Sequence, residues 1–135
     1  MILKKVKLTD FRQFYGTVEI EFATSPEKNV TIIHGENGVG KTALLNAIKW
    51  AFFAKVTSNF RNPGNLVSDT AKKNGKHTCK VEIEFIEDKR HFMLHRNYDQ
   101  RSLKNVLKIY EKNDDVWSAS LPEPELVINS MLPKE

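Results

Sequence analysis

The sequence is poor in cysteine, proline and glycine, and it has no long apolar run. Its single cysteine, Cys79, excludes an internal disulfide, which is typical of a protein from a reducing compartment. No apolar run is long enough for a membrane span or a secretory signal, so we expect a cytoplasmic protein with no membrane partner. Internal repeats and low-complexity tracts are also absent.

The composition is that of a globular protein. The chain has 135 residues, of which 40% are hydrophobic and 28% are charged, so we expect at most one domain with its own core. The net charge of +4 would suit a polyanion such as nucleic acid. An excess of lysine on an ordinary solvated surface explains the same charge, so composition alone does not identify a partner.

Three of the six glycines fall in one motif, residues 35–42 (GENGVGKT), which fits the phosphate-binding loop G-x-x-x-x-G-K-[ST]. Glycines let successive backbone N–H groups point at one anion, and a helix beginning at about Lys41 would aim its positive end at the same place. Lys41 supplies a mobile charge for the β- and γ-phosphates and is the candidate catalytic residue. The Thr42 hydroxyl is a candidate Mg²⁺ ligand, so the motif predicts a site for ATP and Mg²⁺.

The residues on either side of the motif favour a true phosphate-binding loop. Residues 29–34 (NVTIIH) are rich in β-branched side chains and predict a strand, and residues 43–53 predict a helix. Strand, glycine loop and helix is the order that such a loop requires. The alternative is an ordinary glycine-rich turn beside an incidental Lys-Thr pair.

The helix after the motif is apolar nearly all round, which predicts burial on more than one face. One stripe at helical spacing contains Leu44, Leu45, Ile48, Ala51 and Phe52. Several apolar residues, Trp50 and Phe53 among them, fill much of the other side.

Alternating apolar and polar residues predict five strands. Two of them, 2–8 and 17–22, form an N-terminal pair, with residues 9–16 between them as an irregular connection. The other three, 78–87, 91–98 and 104–112, form an antiparallel meander with one solvated face.

Two short helices and the histidines complete the prediction. A short helix or another ordered segment is expected around residues 67–72, and a further helix begins after Pro122 and ends at Pro133. His91 and His95 share a strand face but lie about 13 Å apart at the rise of a strand, so we expect no metal site there.

Two parts of a complete ATPase are missing from the sequence. A second buried strand ending in an acidic residue is needed to position Mg²⁺, and residues 85–88 (FIED) come nearest but lie on an alternating strand. Buried parallel strands that would cover the apolar helix are also missing. We therefore expect the chain to be part of a larger ATPase.

Three stretches, residues 11–16 (FRQFYG), 44–50 (LLNAIKW) and 128–133 (INSMLP), resemble SMC/RecF-type ABC ATPase heads, and the DndD group in particular. The resemblance implies an α/β P-loop NTPase fold, with a mixed sheet around the P-loop helix and an antiparallel meander subdomain. Residues 1–135 would form the N-terminal lobe of the head. The Q-loop, the signature motif, Walker B and the C-terminal lobe would lie outside this sequence.

The same resemblance implies roles for individual residues. Arg12 would approach the nucleotide phosphates or ribose, although a surface arginine in a turn is the alternative. Residues 65–67 would lie by the adenine. The phosphates would be held by Gly35, Asn37, Gly38, Val39, Gly40, Lys41, Thr42 and Ala43.

The function implied is ATP binding, with hydrolysis only when the C-terminal lobe and a second head are supplied. The implied partners are that lobe, a second head in an ATP-dependent homodimer, DNA, and other proteins of a restriction system. DNA phosphorothioation-dependent antiphage restriction is the expected pathway. The alternatives are a RecF/SbcC-type repair head, a nucleotide-switched DNA clamp without turnover, and an unrelated P-loop kinase, for which the sequence offers neither a lid nor an acceptor site.

Overall fold

A computed structural model describes residues 1–34, 40–55 and 65–132 of the chain. Within these residues there are one antiparallel sheet and three helices. Their order along the chain is β-β-α-α-β-β-β-β-α. The strands are β1 (Ile2–Phe11), β2 (Phe14–Glu21), β3 (Thr78–Glu87), β4 (Arg90–Asp99), β5 (Lys104–Asn113) and β6 (Val116–Trp117), and the helices are α1 (Lys41–Phe53), α2 (Asp69–Lys73) and α3 (Pro124–Met131).

The predicted meander is confirmed, and it is continuous with the N-terminal hairpin. The spatial order of the strands is β2-β1-β3-β4-β5-β6, and every neighbouring pair is antiparallel. Ile83 pairs with Leu94, which pairs in turn with Ile109, so apolar side chains line up across the sheet on one face. Leu8 of β1 pairs with Val81 of β3, which joins the two predicted groups of strands into one sheet.

The N-terminal hairpin is tighter than the sequence predicts. Residues 9–16 were expected to be an irregular connection, but β1 continues to Phe11 and β2 begins at Phe14. The pairing register shifts between Thr9 and Phe11, as at a β-bulge, and only Arg12 and Gln13 form the turn. The difference matters for the site because it places Arg12 at the tip of a hairpin.

Helix α1 packs on the apolar face of the sheet. The Trp50 ring lies 5.7 Å from the Phe11 ring, and the Phe52 ring lies 5.5 Å from the Phe85 ring, measured between centroids. The prediction that Leu45 belongs to the buried stripe is wrong, because its side chain is 66% exposed. The buried face is instead formed by Ala43, Leu44, Ala47, Trp50, Ala51 and Phe52, and Leu45 points about 100° away from Leu44 around the helix.

The two shorter helices are also confirmed. In α2 the Ser68 side chain is the N-cap and accepts from the Ala71 backbone N–H. Helix α3 has a proline in its first turn and buries Ile128 against the common core.

The strand predicted over residues 29–34 is not formed. The segment has no strand partner among the described residues, and its β-branched side chains are exposed, with Val30 at 74% and Ile32 at 71%. A strand exists only where a neighbouring strand satisfies its backbone N–H and C=O groups, so β-branched composition alone does not produce one. A hydrogen bond from the Ala23 N–H to Thr31 Oγ1, at 2.7 Å, ties the segment to the residues just after β2.

Candidate nucleotide-binding site

The last glycine of the motif is required by both conformation and space. Gly40 is the N-cap of α1, with φ 108° and ψ 4°, a left-handed conformation that side chains rarely adopt. A Cβ at this position would lie 2.8 Å from Cζ of Phe14. The end of the glycine loop therefore rests directly on the first residue of β2.

The first turn of α1 carries no side-chain cap or acidic residue of its own. The positive end of the helix is therefore not neutralised from within the helix. The Leu44 N–H is the first to bond inside the helix, to the Gly40 carbonyl at 2.9 Å. The N–H groups of Lys41, Thr42 and Ala43 thus precede the first intrahelical bond.

The side chains at this helix end fit a magnesium nucleotide. Lys41 is half-buried, and within the described ranges it forms no ion pair that would hold its ammonium elsewhere. Thr42 is exposed, and its carbonyl accepts a bond of 3.0 Å from Nδ2 of the buried Asn46. Four residues predicted to hold the phosphates, Gly35, Asn37, Gly38 and Val39, lie outside the described residues.

The structure places Arg12 beside the segment that the resemblance assigns to the adenine. Nη1 of Arg12 donates to the Asn65 carbonyl at 3.0 Å, and the Arg12 backbone N–H donates to the Leu66 carbonyl at 2.8 Å. Phe11 and Val67 form an isolated antiparallel bridge. The hairpin tip and residues 65–67 are therefore bonded to each other, and their roles toward a nucleotide stay predictions.

A polar cavity opens where these two segments meet. Its volume is about 380 Å³, which is within the usual range for small-molecule sites. Phe14, two residues after Arg12, contacts the position of Gly40, so the cavity and the start of α1 adjoin the same hairpin. The cavity is lined by Arg12, Gln13, Asn65, Val67, Ser68, Asp69 and Thr70.

Sequence reasoning did not single out Asp10, which is one of the few buried charged residues. It is 5% exposed, its Oδ1 accepts from the Gly16 N–H at 2.8 Å, and its Oδ2 lies 3.7 Å from Nζ of Lys76. Burial, and secondarily the charge of Asp10, raises the pKa of the Cys79 thiol to about 12, so this cysteine stays a protonated core residue. Aspartate side chains in turns usually bond the backbone about two residues further on. Asp10 instead bonds the N–H of a glycine six residues later, so the sequence carried no signal for this contact.

A second missed residue, Arg96, lies at the opposite end of α1. It is 1% exposed, and its Nε donates to the Ala51 carbonyl at 2.8 Å. Its Nη1 donates to Asn105 Oδ1 at 2.8 Å and lies 3.6 Å from a carboxylate oxygen of Glu125 in α3. Burial lowers the pKa of the guanidinium and Glu125 opposes that shift. Because α1 has no basic residue in its last turn, Arg96 supplies the cation for that end from β4.

Neither a metal cluster nor a membrane-spanning helix accompanies this site. Over residues 1–34, 40–55 and 65–132 there is no group of three or more His, Cys, Asp or Glu side chains placed to hold a metal ion. No helix within the same residues is long and apolar enough to cross a membrane.

Comparison with known proteins gives one family and several relatives. A family model described as an AAA domain matches residues 5–123. A DNA double-strand break repair Rad50 ATPase of Methanocaldococcus jannaschii is 30% identical over 132 residues, and the SbcC component of the nuclease SbcCD of Staphylococcus haemolyticus is 38% identical over 87 residues. The first match covers 98% of this chain and 12% of the relative, and the second covers 64% and 8%. The chain thus spans about a tenth of the length of these relatives.

A solved structure is similar in fold. It comes from structural work on the ATP-driven dimerization and DNA-stimulated activation of SMC ATPases. The TM-score is 0.66 at 18% sequence identity, and the match covers 97% of this chain and 77% of that one.

Proposed function

The chain belongs to the AAA domain family, and on that premise we propose that it is the ATP-binding N-terminal lobe of an SMC-like ATPase that acts on DNA. The predicted fold class, the N-terminal lobe of an ABC/SMC-type P-loop NTPase head, is confirmed. The observation that carries the proposal is the first turn of α1 at Gly40, which has no side-chain cap and no acidic residue and adjoins the same hairpin as the Arg12 cavity.

Different residues of this chain would bind the phosphates and the Mg²⁺ of Mg-ATP. The N–H groups at the start of α1 and the Lys41 ammonium would bind the phosphates, and the Thr42 hydroxyl would take one position on Mg²⁺. Arg12 would add a second cation from the hairpin tip. Bound Mg-ATP would supply the phosphoanhydride bond that is hydrolysed, and its Mg²⁺ would neutralise part of the negative charge on the phosphates.

Exposed apolar surface supports a second lobe as the partner. Ile32 and Ile33 in the segment before the motif are exposed, and so are Leu45 and Phe53 on the outer side of α1. A C-terminal lobe of the same full-length chain would cover both, and its strands would give residues 29–34 the strand partners that they lack among the described residues. We propose that hydrolysis needs this lobe and a second head that joins on ATP binding.

We propose two candidate pathways for the full-length protein. The names of the curated relatives favour break repair of the Rad50/SbcC type, with DNA reached through the full-length protein. The stretches 11–16, 44–50 and 128–133 favour the second candidate, antiphage restriction of the DndD type with its other restriction proteins. A nucleotide-switched DNA clamp differs from both in needing no turnover.

Calorimetric titration of Mg-ATP into three forms of the chain tests the proposal. The parent should bind, Lys41→Ala should abolish detectable binding, and Lys49→Ala should bind like the parent. Lys49 is a matched control because it is an exposed lysine on the same helix, two turns beyond the site. Absence of binding by the parent, or binding that survives Lys41→Ala, would contradict a preformed phosphate site in this lobe.

A further inference from the structure

We propose that Asp10 is a positioning residue that holds Arg12 at the nucleotide site, through a buried carboxylate that pins the β1–β2 turn to the loop after α2. The proposal rests on the proposed function, because Arg12 matters only if the cavity takes a nucleotide. It goes further by assigning a role to a carboxylate that touches neither the cavity nor the start of α1 in this structure.

The conformation of the turn requires such a support. Asp10 has φ 52° and Arg12 has φ 53°, so two residues flanking Phe11 are both left-handed. Most side chains disfavour this region, and aspartate and asparagine tolerate it best because their short polar groups bond to nearby backbone. A turn with two such residues keeps its shape only when the surrounding bonds fix it.

Both the carboxylate and the backbone of Asp10 make these bonds. Oδ1 accepts the Gly16 N–H at 2.8 Å and so ties the far side of the turn to the near side. The Asp10 carbonyl accepts the Ser68 N–H at 2.8 Å, and the Arg12 N–H donates to Leu66 at the same length. Arg12 therefore extends from a turn whose two strands are bonded to each other and to the segment that lines the cavity.

Lys76 extends the frame to the loop after α2. Its Nζ lies 3.7 Å from Oδ2 of Asp10 and 5.4 Å from the centre of the Tyr15 ring. Asn74 of the same loop lies within 3.5 Å of the Tyr15 hydroxyl. An ionised carboxylate that is only 5% exposed needs a cation and a donor, and Lys76 and Gly16 provide them.

The consequence for Arg12 follows from the geometry. Its guanidinium reaches the Asn65 carbonyl at 3.0 Å from a turn of only two residues, so a shift of the turn moves the cation directly. Loss of the Asp10 carboxylate should leave the Gly16 N–H without its acceptor and release the turn. Mg-ATP should then bind more weakly, although no group that touches the nucleotide has been removed.

Two substitutions separate the parts of the role. Asp10→Asn keeps an acceptor for Gly16 and tolerates the left-handed conformation, and it loses only the charge opposite Lys76. Asp10→Ala loses the acceptor, the tolerance of the left-handed conformation and the charge. Asp114→Ala is the matched control, because Asp114 is also a left-handed turn aspartate, with φ 50°, at the opposite end of the sheet.

The first measurement is hydrogen exchange of residues 11–16 without nucleotide. Asp10→Ala should raise exchange across the turn at least tenfold, whereas Asp10→Asn and Asp114→Ala should leave it within about threefold of the parent. Unchanged exchange in Asp10→Ala would overturn the proposal. This outcome is independent of ATP, so it is distinguishable from a failure of the proposed function, in which the parent binds no Mg-ATP.

The second measurement is the Kd for Mg-ATP in a double-mutant cycle. Asp10→Ala should raise the Kd about tenfold in the parent and should have no further effect in the Arg12→Ala background, because it acts through Arg12. Asp10→Asn should recover most of the affinity. Equal effects of Asp10→Ala with and without Arg12 would show a general structural role and would overturn the proposal.

Discussion

Arg96→Met should destabilise the fold although it removes a charge from the core. The guanidinium donates to the Ala51 carbonyl and to Asn105, each at 2.8 Å. Ala51 lies in the last turn of α1, where carbonyls have no intrahelical partner, so methionine would leave that oxygen without a donor. Glu125 would not be stranded, because its side chain is 62% exposed and can be solvated.

The expected loss of folding stability in Arg96→Met follows from these contacts. The buried Ala51 carbonyl, which loses a charged donor, costs about 3 kcal/mol, whereas Asn105 is an exposed residue whose side chain can be solvated at little cost. Relief of the buried charge and the apolar burial of methionine return about 1 kcal/mol. The net loss of about 2 kcal/mol corresponds to roughly 8 °C in Tm for a chain of this length. Arg96→Ala should lose about 4 kcal/mol, because it also leaves a cavity.

The assay is urea denaturation of Arg96→Met beside Arg90→Met. Arg90 is the matched control because it makes a two-bond contact with Glu111, at 2.8 Å for each bond, while remaining largely exposed. Solvent screens that pair, so its loss should cost under about 1 kcal/mol. Parent-like stability of Arg96→Met would refute the assigned role of the guanidinium, as would a larger loss in Arg90→Met than in Arg96→Met.

Two further predictions use a glycine and a histidine. Gly40→Ala should cost about 2 kcal/mol and weaken Mg-ATP binding, since it adds both a conformational penalty and the contact with Phe14; Gly75→Ala, with φ 79° and open space, should show only the penalty in the same urea assay. Burial, only partly opposed by Glu82, lowers the pKa of His95 below its usual 6.5, so the unfolded chain takes up the proton first and stability should fall as the pH drops below about 6.5. His95→Gln should reduce that fall in urea midpoints measured at about pH 7 and pH 5, and an unchanged fall would contradict the assignment.

The strands of the meander could be predicted because each carries its own signal. Val81, Ile83 and Phe85 alternate with charged residues, and the structure buries all three on one face. The start of α1 could be predicted because the glycine motif fixes where the helix begins. Both signals are local, so they need no knowledge of the rest of the fold.

Other features depend on partners that are distant in sequence. Residues 29–34 have the composition of a strand, but whether they form one is decided by a neighbouring strand. Arg96 follows the same alternation as Leu94 and Tyr98, and the sequence does not reveal that a helix end from another segment would receive its guanidinium. Asp10 was missed for the same reason, because Lys76 lies on a loop beyond α2.

The pairing of β1 with β3 also sets the order in which the chain can fold during synthesis. Leu8 cannot pair with Val81 until roughly seventy further residues have been synthesised. Helix α1 packs mainly against β3 and β4, which are also synthesised after it. At 5–20 residues per second, translation of that interval takes on the order of ten seconds. Until β3 emerges from the ribosome, the apolar helix lacks most of the sheet that buries it, and transiently exposed apolar surface of this kind favours aggregation. Because β3, β4 and β5 are joined by short turns, the meander can then close quickly and receive both β1 and α1.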